Sequence, residues 1–364
     1  MSNSDTQNAV PSSLTTHGHI LSNWSRKKSF DTFIFCPTTP HAMLVGAINS
    51  TLHDPSESIT VKQVQGWLRM LYPGSFKSRD FAIHPAEVTQ FASGRCAVTA
   101  KDDSEPVASE KALLPGTYCC VSSETRVPFT DLRNADQCRT FTGLRAYALK
   151  NRKRYEENLS ADIMTDRLQS DVRTRDAYAC FLTRLGAGGD LDPPVNVHWI
   201  FPPSCMGELR KIHLEFKDMA VLDNAAVMSE GVAKLMHDNA IGIDVDDGFR
   251  IVAFEPLPPK WKEQHHIPES ASFLDQNGPT FVMFLRWHFL WCLALHFQGN
   301  DIEREITPSQ ARDLRGIIEK YGADSEEVGY MKEEPQWQTP AGLEIMELML
   351  ATYVKRTDSD DDLD

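Results

Sequence analysis

The chain has 364 residues, 41% apolar and 24% charged, an ordinary composition for a soluble protein and long enough to bury more than one core. Its formal net charge of −14 excludes a molecule drawn as a whole to nucleic-acid phosphates; such contact needs a local basic patch. The eight cysteines form no Cys-x-x-Cys pair, and there is no phosphate-binding glycine loop or Gly-x-Ser-x-Gly elbow. Zinc knuckles of the usual spacing, phosphate-loop enzymes and serine hydrolases are therefore not expected.

In chain order, residues 1–27 are rich in Ser, Asn and Thr and read as a flexible leader. They lack the apolar centre of a secretory signal, so an intracellular protein of the nucleus or cytoplasm, with reduced thiols, is expected. Residues 28–130 read as a β-rich module, with strands such as Thr32-Phe33-Ile34-Phe35 and Thr117-Tyr118-Cys119-Cys120-Val121. A helix interrupts them from Val61 to Leu71, where Val64, Trp67, Leu68 and Leu71 share one face. Residues 101–110 are polar and read as a long loop.

Residues 131–172 are charged and helix-favouring and read as a connector. Within it Lys150, Arg152, Lys153 and Arg154, with Arg145 nearby, are either a candidate nucleic-acid contact or a solvated helix face. Residues 256–355 read as a helical region that opens on a linker bearing Pro256, Pro258, Pro259 and Pro268. Residues 281–297 form an apolar helix, too short for a membrane span and interrupted by Arg286, His288 and His296, so no membrane partner is expected. Arg286 is expected to pair with Asp301 or Glu303 in this packing element. Helices over 309–321 and 340–354 follow, and residues 356–364 are an acidic tail.

Residues 173–255 carry the chemistry. Val195-Asn196-Val197-His198-Trp199 reads as a strand bearing one histidine, and Val221-Leu222-Asp223-Asn224 as a strand ending in Asp-Asn. Ser229 suits a helix cap, with Glu230 favourable in the first turn. A helix over 230–238 is expected, then a hairpin turning at Asp247-Gly248. Strand, strand and helix in this order predict a ββα core, and the whole chain an α+β fold.

The order Arg175-Asp176, Cys180, Thr183, His198, Asn224 resembles the fungal HNH nuclease domain. Leu114-Pro115-Gly116-Thr117-Tyr118 upstream and Phe284-Leu285-Arg286-Trp287-His288-Phe289 downstream are similar to segments flanking that domain in fungal members. The resemblance implies an α+β protein with a β-rich N-terminal module, a ββα-metal core and a C-terminal helical region. It implies an endonuclease that hydrolyses DNA with a divalent ion, Mg²⁺, Mn²⁺ or Zn²⁺. His198 corresponds to the general base, and Asn224 to the residue that holds the ββα loop and orients the base. The helical metal histidine falls on Ala233, and the acidic position one turn later falls on His237. His237 and Asp223 are the remaining candidate metal ligands. Two readings stay open: an active metal-dependent endonuclease, and an inactive HNH-derived protein that binds a protein partner.

Overall fold

The short apolar segments of the N-terminal module close on themselves. In a computed structural model, which describes residues 18–37, 42–52, 58–76, 80–91, 95–101, 105–123, 164–186, 194–203, 216–258, 260–298, 302 and 305–361, five strands form a barrel. After a one-turn helix α1 (Asn23–Lys27) come β1 (Thr32–Pro37), β2 (Ala42–Ile48), helices α2 (Val61–Leu71) and α3 (Pro73–Phe76), β3 (Phe81–Gln90), β4 (Cys96–Ala100) and β5 (Gly116–Ser122). Barrel order is β1-β2-β4-β3-β5, closed by parallel pairing of β1 with β5 from Thr32↔Gly116 to Phe35↔Cys119. Side chains alternate between the two faces of a strand. Phe33, Phe35, Leu44, Ala86, Cys96, Val98 and Cys119 form one cluster, while Ile34, Cys36, Val45, Ile83 and Cys120 pack with α2. Both faces of β1 are thus covered, which is why it reads as an unbroken apolar run buried at every position.

Downstream, helix α4 (Asp166–Arg175) leads to β6 (Val195–Trp199), a short helix α5 (Phe216–Met219), β7 (Ala225–Ser229) and helix α6 (Glu230–His237). The hairpin β8 (Ile241–Asp244) and β9 (Arg250–Ala253) follows, turning through Gly248 at φ +63°. The proline-bearing stretch expected as a linker is packed instead: it carries α7 (Trp261–Gln264), and Ile267 is 5% exposed in the second core. Burial of that side chain outweighs the helix-breaking local sequence.

Helix α8 (Pro279–His296) is apolar nearly all round, as a helix buried between two cores must be. Phe281, Phe284, Leu285, Trp291 and Leu295 belong to the core of β7, α6 and β8; Phe289, Cys292, Leu293 and Phe297 belong to the core that coats the barrel. Arg286 pairs with Asp246, at 2.6 Å; Asp301 and Glu303, the partners expected for it, lie outside the described residues. Helices α9 (Pro308–Tyr321), α10 (Glu326–Glu333) and α11 (Pro340–Asp361) build a third core around Trp337, joined by Ile20. The fold is α+β, β-rich towards the N-terminus and helical towards the C-terminus. No helix among the described residues is long and apolar enough to cross a membrane.

The β8–β9 turn is tied to α2 by polar contacts. Asp244, 3% exposed, accepts the Trp67 indole N–H at 2.9 Å and the Asp246 amide at 3.1 Å. Gln63 donates to Asp247 at 2.8 Å. Burial, opposed by those hydrogen bonds to Asp244, raises its carboxyl to about 6. A folded value above the unfolded one of ~3.9 gives a contribution fully present below the unfolded value and lost as pH rises through 6. Urea denaturation is expected to show the protein losing about 2–3 kcal/mol more than its Asp244→Asn variant between about pH 4 and pH 7. Parallel pH profiles for the two proteins contradict this.

Candidate functional site

β6 and β7 pair antiparallel, with His198 opposite Ala226 and Trp199 opposite Ala225. Alternation places Trp199 and Val197 in the small core under α4, with Ala225, Val227 and Val172. It places His198 on the other face with Ala226 and Met228, and those two pack against Val232, Ala233 and Met236 of α6. His198 therefore faces α6, where His237 lies in the last turn. The two ring centroids are 5.2 Å apart at an interplanar angle of 63°.

Helix α6 begins as its sequence demands. The Ser229 hydroxyl accepts the Val232 amide at 3.5 Å, and Glu230 sits in the first turn. Lys234 pairs with Asp238 one turn on, at 2.8 Å. Helical side chains lean towards the N-terminus, so His237 reaches back to the end of β6. A hydrogen bond joins its ring to the Trp199 backbone. Burial, the neighbouring His198 and His288 together hold His237 down to about 4, against that hydrogen bond and Asp238. Burial also lowers His198. Both imidazoles are therefore neutral near pH 7, the form that can accept a proton or bind a metal.

Asn224 is fully buried at the end of a 3₁₀ turn, Leu222–Asn224. The expected strand ending in Asp-Asn is corrected: the strand begins after Asn224. The residue is recruited by its side chain, whose oxygen accepts the Phe201 amide at 3.0 Å while its amide donates to the Phe201 and Met219 carbonyls at 2.8 and 2.9 Å. The Asn224 carbonyl also accepts the Ile200 amide at 2.8 Å. Asn224 thus sews the exit of β6 to the entry of β7.

A second clip grips the same turn from outside. Arg175 lies against both carboxylate oxygens of Asp176, at 2.7 and 3.0 Å, and donates to the Leu222 and Ala225 carbonyls at 2.9 and 2.7 Å. Asp176 accepts the Val227 amide at 2.8 Å. These two residues, read in the sequence as motif positions without a task, bind the backbone on either side of Asp223 and Asn224.

Ala233, at the position where the family resemblance expects a metal ligand, is 3% exposed in the apolar core. Asp223 is half-buried in the 3₁₀ turn. No group of three His, Cys, Asp or Glu side chains suited to one ion occurs among the described residues, so Asp223 does not join the two histidines in one. His265 packs against α6, where a Cβ on Gly231 would collide with its Nδ1. His213 and the basic residues Arg145, Lys150, Arg152, Lys153 and Arg154 lie outside the described residues. The residue that sequence reasoning passed over is His288, read as part of a packing helix. Its spacing of four from Cys292 was the available signal, because that interval puts both on one helix face. No family model, curated protein or solved structure matches the chain.

Proposed function

We propose that this chain is an HNH-type, nuclease-derived protein that hydrolyses nucleic-acid phosphodiesters with a divalent metal, using His198 as general base. The observation that carries the reading is the pair of neutral imidazoles, one on a strand and one on the following helix, facing each other across a ββα unit whose turn is held by Asn224. The donors fit a metal in type: a neutral imidazole is a common ligand of divalent ions, and the His237 ring lies beside that of His198, with centroids 5.2 Å apart. The hydrogen bond from His237 to the Trp199 backbone is also the outer contact that orients a ligating histidine. The donors fall short in number, at two.

In this reading His237 would hold the ion, which would supply neutralisation of the charge developing on the phosphate and leaving oxygen. His198, neutral and half-buried, takes the proton from the attacking water at its open ring nitrogen. Asn224 keeps β6 in register so that this nitrogen stays on the α6 face.

The test is plasmid cleavage by purified protein with added Mg²⁺, Mn²⁺ or Zn²⁺. Metal-dependent cleavage is expected, with His198→Ala lowering the rate by about 10²–10⁴-fold, as loss of a general base does, and His237→Ala abolishing the metal-dependent cleavage. No cleavage with any of the three ions refutes the enzymatic reading. A second reading, a non-catalytic HNH-derived protein that binds a partner, is favoured by the buried Ala233 and the two-donor count. It expects plasmid left intact under every condition.

A further inference from the structure

We propose that His288 is a positioning residue for His237, a role that rests on the reading of His237 as a metal ligand. His288 lies on α8, 4% exposed, with Nε2 2.9 Å from the Met236 carbonyl. A carbonyl only accepts, so Nε2 carries the proton and Nδ1 is bare. Met236 is the residue before His237, in the last turn of α6. Carbonyls there have no partner further along the helix and take capping donors instead. The Met236 carbonyl already receives the Asn239 amide at 3.0 Å, and the imidazole adds a donor from a different helix.

His288 is itself held. Its Nδ1 lies 3.8 Å from Cys292 Sγ, and that thiol approaches the Ile241 carbonyl at 3.5 Å. Gly242, next in β8, leaves room for this packing: a Cβ there would meet Phe289 at 2.8 Å and Cys292 at 3.3 Å. The helix turn carrying His237 is thus bolted to α8 through its backbone, while the His237 ring is bound to Trp199. Two anchors on different elements fix both the root and the head of one side chain.

The experiment compares the full-length protein with His288→Phe, which keeps an aromatic ring and loses the donor, and His288→Gln, which keeps a donor. Two quantities are read: the tautomer of His237 from its ring ¹⁵N signals, and Zn²⁺ affinity by calorimetry. In the unsubstituted protein His237 is expected to show a single neutral tautomer and His288 an Nε2–H. In His288→Phe the single His237 tautomer is lost, and Zn²⁺ affinity falls with it, because the ring no longer presents one fixed nitrogen. His288→Gln retains both. An Nδ1–H on His288 in the unsubstituted protein overturns the proposal without any variant being needed. So does a His237 tautomer unchanged in His288→Phe. Absence of Zn²⁺ binding by the unsubstituted protein refutes the metal reading of His237, and the tautomer measurement still decides the role of His288.

Discussion

Arg175→Ala is expected to lower the unfolding free energy by about 3–5 kcal/mol, the usual cost of taking one partner from a buried ion pair. The side chains of Arg175 and Asp176 are 18% and 7% exposed. Without the guanidinium, the Asp176 carboxylate keeps the Val227 amide, and the Leu222 and Ala225 carbonyls each lose the guanidinium donor. The guanidinium also lies over the Phe281 ring, 5.1 Å from its centroid, so the loss reaches α8. Arg175→Lys keeps the charge without the planar fork and should recover only a minor part of the stability. Urea denaturation followed by circular dichroism gives the comparison. A loss below about 1 kcal/mol, the range of exposed pairs, would show that the clip does not hold the turn.

Trp67→Ala should have a comparable effect for a different reason. Trp67 is 1% exposed, and its ring meets those of Phe254, Phe289 and Phe297, with centroids 5.2 to 6.1 Å away. Removing it opens a cavity where α2, β9 and α8 converge, at a cost of about 3–5 kcal/mol. Trp67→Phe separates the two contributions. It keeps most of the ring packing and loses the N–H to Asp244, costing about 1–3 kcal/mol at neutral pH. That hydrogen bond holds the Asp244 carboxyl down against burial, so Trp67→Phe should raise it further and enlarge the gain in stability on acidification. A Trp67→Phe variant as stable as the original at pH 7, with the same pH profile, would show that the indole N–H contributes nothing.

Much of the local structure is legible in the residues. The apolar face of Val61–Leu71, the cap at Ser229, the Asp247-Gly248 turn and the all-round apolar helix ending at His296 each follow from spacing or turn chemistry. So does His198 on a strand, with a helix following within reach. The placement of Asn224 before β7 was not legible. Its neighbours fit a strand end equally well, and the choice is made by hydrogen bonds to Phe201, 23 residues earlier, and to Met219.

Taken alone, then, the sequence determined element types, the α+β class and the histidine that faces the helix, because periodicity and capping act over one or two turns of chain. Only the tertiary structure decided which surfaces meet. The parallel closure of β1 on β5 joins residues whose pairing no local pattern specifies. Asp244 meets Trp67 across 177 positions, and Arg175 reaches carbonyls 47 and 50 residues on. Helix α8 serves two cores because both of its sides are buried by different partners. The approach of His198 and His237 belongs to both levels: strand alternation and helix spacing aim the two rings, and packing of Ala226 and Met228 on Val232, Ala233 and Met236 brings them together.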